Sequence, residues 1–287
     1  MTPGDPEPVA QVTNDPDAAS ADDALELSGR RPTAPPPSTR LLVSALLTVV
    51  AFFAIYSPWP LIAKLRAAGA ACCAQIPSHT IMFQGRAMPI DSRNSGIYLG
   101  VLLVIAVLWV TGRQRAALYV PPGVRNILML CVLAMILDGF NSVAASHHLH
   151  TYYQDTNTIR IVTGILAGTA LTILVVPIYN RLVWRDPAPI AIVEDYVELS
   201  GFVIVAVLVI LSLQAAPAAL YYPLSILSIG GFLVTMVMVN SCVLLVSLRR
   251  EHSVGSNGDL FIPALAGLVL ACLEILLITS WRAFAHG

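Results

Sequence analysis

Charged side chains are scarce in this sequence. Asp, Glu, Lys and Arg make up 11% of its 287 residues, whereas 56% of the residues are apolar. A typical soluble domain carries about a quarter charged residues, which it needs to cover its surface. The chain therefore lacks the composition of a soluble protein, and we expect it to reside in a lipid bilayer.

Cysteine is also sparse, and basic residues show no surplus. Five scattered cysteines are too few for a disulfide scaffold. A formal net charge of −1 leaves no basic surface for nucleic acid. The sequence contains no Gly-rich nucleotide loop, no His-Glu-x-x-His and no Gly-x-Ser-x-Gly. The ordinary soluble enzyme classes are thus excluded, and we predict no catalytic residues, no cofactor and no metal site.

Acidic residues are concentrated in the N-terminal tail, residues 1–40. This tail is rich in proline, aspartate, alanine and serine, so it cannot bury enough apolar surface to offset the entropy of ordering. We predict that it is disordered. It contains seven of the 17 acidic residues: Asp5, Glu7, Asp15, Asp17, Asp22, Asp23 and Glu26.

Seven apolar runs are each long enough to cross the ~30 Å hydrocarbon core of a bilayer. We therefore predict an all-α fold, a polytopic bundle of about seven transmembrane helices. One helix comes first, residues 63–182 hold three helices and an outward loop, and residues 183–287 hold three more. The runs lie near 41–62, 96–112, 126–146, 159–182, 199–220, 223–248 and 260–282.

Lys and Arg are distributed unequally between the two predicted sides of the membrane. Because basic residues favour the cytoplasmic side, the count predicts a cytoplasmic N-terminus and an extracytoplasmic C-terminus. Ten lie on the tail side: Arg30, Arg31, Arg40, Arg113, Arg115, Arg125, Arg181, Arg185, Arg249 and Arg250. Six lie on the other: Lys64, Arg66, Arg86, Arg93, Arg160 and Arg282.

Polar residues inside the predicted helices cluster in the second, third and fourth runs. Such residues are costly in a membrane, so they mark functional sites or helix contacts. Asp138 and Asn141 share one face of the third helix, and Arg93 lies at the start of the second. Asn157, Arg160 and Thr163 share one face of the fourth helix. We predict that these six residues meet near the outer surface.

Small residues give the second and fourth helices surfaces that can approach closely. Gly96 and Gly100 are four residues apart, as are Gly164 and Gly168. Such pairs let helix backbones pack together in membranes. We therefore expect helices two, three and four to form one packed unit.

The stretch from Cys73 to Gly168 resembles a family of prokaryotic polytopic membrane proteins known only as a domain of unknown function. Its pattern contains Cys-His, then Cys-x-x-Cys followed by Thr-Gly-Ile-Tyr-x-Gly, then Asp-Gly, then Asn-x-x-Arg-x-x-Thr-Gly. This sequence has Ser95-Gly96-Ile97-Tyr98-Leu99-Gly100, Asp138-Gly139 and Asn157-Thr158-Ile159-Arg160-Ile161-Val162-Thr163-Gly164 in that order. The resemblance implies a prokaryotic plasma membrane protein.

The sequence departs from this pattern at the family's thiols. Ala74 replaces the His, and Asp91 and Asn94 stand where the family has Cys-x-x-Cys. A metal or disulfide role that these thiols have elsewhere is therefore in doubt for this chain. Only Cys73 of that set remains.

Four functional hypotheses stay open at this point. The polar cluster is either a structural latch between helices or a site for a small anion or lipid headgroup. A membrane-embedded enzyme for a lipid-linked substrate would use Asp138 as base. A proton-linked transporter would use Asp138 and Glu274, although Glu274 could instead bond to Asn240 or Ser241. A last, weaker hypothesis is a metal site formed by His147, His148 and His150.

Overall fold

The computed structural model describes residues 59–286, except for the side chains of residues 283 and 286. The predicted disordered tail and nearly all of the first predicted membrane run lie outside this range. Helices dominate the described part of the chain, which confirms an all-α membrane bundle. They are α1 (Leu61–Gly69), α2 (Ser92–Val110), α3 (Pro122–Ser146), α4 (Asn157–Val183), α5 (Tyr196–Ala215), α6 (Tyr221–Ser247) and α7 (Asn257–His286).

Six of these helices, α2 to α7, are long and apolar enough to cross a membrane. They correspond to the second to seventh apolar runs of the sequence. We call the side where α2 begins the predicted outer side, and the side where α2 ends the predicted inner side.

The long helices begin two to four residues before the apolar runs, and polar residues cap the first turns of α2, α4, α5 and α7. The Asp91 carboxylate accepts from the backbone N–H of Asn94 at 2.8 Å, ahead of α2. Asp195 accepts from the N–H of Glu198 at 2.8 Å, ahead of α5. A hydropathy pattern misses such turns, since its signal starts only at the first apolar residues.

The connection between α5 and α6 lies earlier than the gap between the predicted runs 199–220 and 223–248. Helix α5 ends at Ala215 because Ala216 has a left-handed backbone (φ 40°) and Pro217 follows it. A 3₁₀ turn, Ala218–Leu220, then leads directly into α6. The connection is short, but α5 packs against α2 and α4 rather than against α6, so the two helices do not form a packed hairpin.

Short strands close both ends of the bundle. On the predicted outer side, β1 (Met82–Phe83) pairs antiparallel with β2 (Arg86–Ala87). On the predicted inner side, β3 (Ala116–Leu118) pairs in parallel with β4 (Ala188–Ala191). Hydropathy cannot reveal strands this short, and none was predicted.

Helix α4 forms the centre of the bundle and packs most extensively against α2. Its side chains Ile165, Ala167, Ala170 and Ile173 are fully buried. By contrast, α5 leaves a row of apolar side chains exposed, as expected where a helix faces lipid. Helices α2 and α4 therefore form the centre of the described bundle, and α3 packs against α4 with most of its surface exposed.

Candidate polar site at the outer ends of three helices

An ion pair joins the beginning of α2 to the outer half of α3. Arg93 donates to Asp138 Oδ2 from Nη2 at 2.6 Å and from Nε at 3.1 Å. It also donates from Nη2 to Ser142 Oγ at 2.6 Å, one turn farther along α3. Asp138 is only 1% exposed, so the arginine offsets much of the cost of burying its charge.

Two more groups bind the same carboxylate. The Tyr153 hydroxyl donates to Asp138 Oδ1 at 2.8 Å. The Thr163 hydroxyl of α4 lies 3.1 Å from Asp138 Oδ2 and 2.9 Å from the carbonyl oxygen of Ile159. Its single proton is therefore divided between these two acceptors. Both carboxylate oxygens are therefore bound, and three helices and a loop meet at one side chain. We call Arg93, Asp138, Ser142, Tyr153 and Thr163 the polar latch.

Asn141 fixes the loop that carries Tyr153. Its Nδ2 donates to the carbonyl of Tyr153 at 3.1 Å, and its Oδ1 accepts from the backbone N–H of Tyr152 at 2.9 Å. The Asn141 side chain thus supplies hydrogen-bond partners to the loop backbone, which has no neighbouring strand to provide them. Burial, followed by the hydrogen bond to Asp138, raises the pKa of Tyr153 to about 12, so its phenol stays a donor.

Arg160 does not bind Asp138, although the sequence analysis placed both residues in one cluster. Arg160 Nη2 instead binds Asp155 Oδ2, and its Nη1 donates to Asn157 Oδ1 at 3.2 Å. Asp155 lies in the turn just before α4, which brings its carboxylate over the first turn of that helix. The site therefore contains two neighbouring ion pairs with no surplus of either charge.

Asn157 ties α4 to the other outer loop. Its Nδ2 donates to the carbonyls of Ser78 at 3.1 Å and Thr80 at 3.5 Å. His79 lies between these two residues, where burial, followed by the positive charge of Arg160, lowers its pKa. The loops 70–91 and 147–156, both on the predicted outer side, are thus hydrogen-bonded to the helices below them.

The four predicted packing glycines lie where α2 and α4 touch. A Cβ on Gly164 would stand 2.4 Å from the carbonyl oxygen of Arg93, and one on Gly168 would stand 2.1 Å from that of Ile97. Cβ atoms on Gly96 and Gly100 would meet α4 backbone at 2.8 and 2.7 Å. These approaches bring Arg93 close enough to α3 for the ion pair to form.

Sequence reasoning left Tyr153 and Asp155 out of the site. Both belong to the loop 147–156, which joins α3 to α4. A short connection between neighbouring helices must pass over their ends. That constraint, together with two tyrosines and one acid shortly before Arg160, is the signal that could have identified them.

Other candidate groups lie apart from the polar latch. Glu274 of α7 accepts from Asn240 Nδ2 of α6 at 3.1 Å, the partner that the sequence suggested. Within residues 59–286, no group of three His, Cys, Asp or Glu side chains is arranged to hold a metal. His150 packs edge-on against Tyr152, with ring centroids 5.8 Å apart.

The positions of the family's Cys-x-x-Cys are used differently here. The Asn94 side chain donates to Asp91 Oδ2 at 2.8 Å, in addition to the backbone capping bond. Cys73 is buried nearby, and its carbonyl accepts from Arg282 Nη1 at 2.7 Å. A helix cap therefore occupies the place where the resemblance puts two thiols.

Part of this chain is similar to known proteins. Residues 73–174 match the model of a family described as "Predicted membrane protein (DUF2085)". The predicted resemblance is confirmed for this region. An uncharacterized protein of Methanothermobacter thermautotrophicus is 28% identical over 102 residues, which are 36% of this chain and 82% of that relative. No solved structure matches significantly.

The DUF2085 region begins just after α1 and ends within α4. It contains the whole polar latch, the Arg160–Asp155 pair and all four packing glycines. Helices α5 to α7 lie outside it. The polar site and the region of resemblance are therefore the same part of the molecule.

Proposed function

We propose that this chain is a non-enzymatic, multi-pass protein of the plasma membrane, in which the polar latch is structural. In this proposal the latch holds α2, α3 and α4 together and folds both outer loops over their ends. The unit then provides a rigid platform on the outer face. The observation that carries the proposal is that Asp138 is 1% exposed and has both carboxylate oxygens bound by protein groups.

This geometry argues against a catalytic or proton-carrying Asp138. A general base must come within hydrogen-bond reach of the proton that it removes. Here the guanidinium of Arg93, the phenol of Tyr153 and the hydroxyl of Thr163 already bind the carboxylate. A substrate would have to break at least one of these bonds.

The charge balance argues against an anion or lipid headgroup at the same place. Arg93 is paired with Asp138, and Arg160 is paired with Asp155. Two positive charges and two negative charges leave no net positive charge to attract an anion. A phosphate would therefore have to displace a carboxylate that is already in contact.

Carbodiimide labelling of the intact protein tests the structural role. A membrane-permeant carbodiimide reacts with accessible protonated carboxyl groups, so we expect Asp138 to remain unmodified in peptide mass spectra. The same treatment after denaturation in detergent should modify Asp138, which controls for peptide recovery. Modification of Asp138 in the native protein would contradict a closed latch and favour the proton-linked or catalytic role.

Thermal unfolding in the presence of phosphate separates the latch from an anion site. If the latch is structural, inorganic phosphate should not stabilise the protein beyond the effect of an equal ionic strength of chloride. Stabilisation by phosphate that disappears in Arg160→Ala, with the variant still folded, would favour anion binding. Loss of folded Arg160→Ala is expected from the structural role, because Asp155 would be left buried without its partner.

The predicted orientation belongs to the same proposal and rests on the excess of Lys and Arg on the tail side. Single cysteines at Gln154 and Arg249, both exposed, lie on opposite sides of the bundle. In a cysteine-free background on intact cells, an impermeant maleimide should label Gln154→Cys and not Arg249→Cys. The reverse pattern would place the polar latch on the cytoplasmic side.

A further inference from the structure

A second chamber lies at the predicted inner end of the bundle, far along α2 from the polar latch. It is a cavity of about 410 Å³ that is lined by α2, α4, α6 and α7 and is open to the outside on part of its surface. This volume is within the range of small-molecule pockets in proteins. Its walls are largely apolar and include Ile105, Leu108, Val176, Leu233, Val237 and Leu268.

One end of the cavity is polar and contains an unused hydrogen-bond acceptor. Gln114, Asn180, Trp184 and Asn257 line this end. The Asn180 side chain is satisfied, since it donates to the Ala116 carbonyl at 2.7 Å and accepts from Trp184 Nε1 at 3.1 Å. Gln114 Oε1 is buried, and no donor within the described residues reaches it. A buried acceptor of this kind is costly unless a ligand supplies a donor.

A positive charge stands at the same polar end. The Arg115 guanidinium lies over the Trp184 ring, 4.1 Å from its centroid. Its hydrogen bonds go to neutral oxygens, Asn257 Oδ1 at 3.2 Å and the carbonyl of Gly255 at 3.5 Å. Arg115 therefore contacts two residues that line the cavity, Trp184 and Asn257.

The guanidinium of Arg185 also lies close to Gly255. A Cβ on Gly255 would lie 3.4 Å from Arg185 Cζ and 3.6 Å from Asp259 Oδ2. Asp259 also accepts from the Ser256 N–H at 3.0 Å. Arg115, Arg185 and Asp259 thus meet around Gly255, next to the polar end of the cavity.

We propose that this cavity binds an anionic phospholipid from the adjoining leaflet. One acyl chain enters the apolar chamber, and the phosphate lies beside Arg115. A headgroup hydroxyl donates to Gln114 Oε1. The site thus suits an amphiphile whose headgroup has both a negative charge and a hydroxyl, as in a phosphatidylglycerol. The charge of Arg115, whose hydrogen bonds go to neutral oxygens, favours this ligand over a zwitterionic lipid.

Thermal unfolding with defined lipids tests this site. The full chain in detergent receives dioleoyl phosphatidylglycerol, dioleoyl phosphatidylcholine or inorganic phosphate, and each shift in Tm is taken from the same variant without additive. We expect phosphatidylglycerol to raise Tm more than the other two. Arg115→Gln should weaken the apparent affinity for phosphatidylglycerol by about tenfold, as expected for the loss of one charge-assisted contact.

A cavity-filling substitution separates the chamber from general lipid contact. Ala264 lines the cavity on α7, whereas Leu277 is 70% exposed on the same helix. Ala264→Trp should abolish the shift caused by phosphatidylglycerol, and the matched control Leu277→Trp should retain it. Native mass spectra of the same samples should show retained phosphatidylglycerol only in the wild type and in the control.

Three results would overturn the proposal. An undiminished shift in Ala264→Trp would place the lipid on the outside of the bundle. Equal shifts with phosphatidylglycerol and phosphatidylcholine would remove the headgroup site. An equal shift with inorganic phosphate would show that the acyl chain adds nothing. None of these results bears on the polar latch, which lies at the other end of the helices.

Discussion

Two helix pairs in this bundle, α2–α4 and α6–α7, are both joined by closely packed glycines and by polar hydrogen bonds, but to very different extents. In α2 and α4, four glycines bring the backbones together, and the polar latch joins both helices to α3. In α6 and α7, one glycine, Gly267, touches the Ser241 hydroxyl, and one hydrogen bond joins Asn240 to Glu274. Close contact between small residues thus accompanies a polar bond in each pair.

The difference lies in what the polar groups connect. The Asn240–Glu274 bond links two side chains inside the membrane region. The polar latch lies at the helix ends, where Arg93 remains 23% exposed and where loop residues can take part. A network in that position fixes loops as well as helices. Only this network lies within the region that matches the DUF2085 family.

Substitution of a packing glycine should break the α2–α4 pair most severely. In Gly168→Ala, the new Cβ would overlap the carbonyl of Ile97, a backbone atom that cannot rotate away. We expect a loss of about 3 kcal/mol or more in the free energy of unfolding. Unfolding in denaturant with a matched control measures this loss.

The control is Gly201→Ala on α5, where an added Cβ meets nothing within 4 Å. Helix propensity predicts a gain of about 0.5–1 kcal/mol at that position. Equal effects of the two substitutions would show that Gly168 of α4 does not lie against the Ile97 carbonyl of α2.

Removal of the hydrogen bond between the loop 147–156 and Asp138 should lower the stability of the protein by an intermediate amount. Tyr153→Phe keeps the ring but deletes the hydroxyl that donates to Asp138 Oδ1. We expect about 1–2 kcal/mol of destabilisation, because the acceptor is a buried carboxylate. Hydrogen exchange in the loop 147–156 should become faster, with little change in α6 and α7. Unchanged exchange in the loop would argue against its attachment through Tyr153.

The α6–α7 bond should matter less. Glu274→Gln removes a carboxylate but keeps an oxygen that can accept from Asn240. Interhelical hydrogen bonds in membranes contribute about 0.6 kcal/mol on average, so we expect a change of that size or smaller. A loss as large as that of Gly168→Ala would show that the two pairs are equally dependent on their polar groups.

The smallest expected effect is a pH dependence from His79. Its pKa is lowered in the folded protein, chiefly by burial and then by Arg160, while the unfolded chain keeps a value near 6.5. Between these values the unfolded chain binds more protons, so stability should fall as the pH drops below about 6.5. His79→Gln should remove this component, and a pH profile unchanged in that variant would contradict the assignment.

The sequence made the meeting of Arg93 and Asp138 predictable. An acid inside an apolar helix needs a partner, and glycine spacing brought α2 and α4 together. The pairing of Arg160 with Asp155 was not predictable from helix periodicity, because it depends on the conformation of a loop. The strands and the inner cavity were not predicted, for a related reason. They arise from packing between distant segments, which a hydropathy pattern does not contain.

A double-mutant cycle of Arg93 and Asp138 tests the central claim most directly. The free energy of unfolding is measured for the wild type, Arg93→Gln, Asp138→Asn and the double variant. A structural ion pair predicts that each single substitution costs about 3 kcal/mol, because it leaves a buried charge or donor unpaired. The double variant should then be no less stable than either single one. Costs that add to within about 0.5 kcal/mol would show that the two side chains act independently and would contradict the latch.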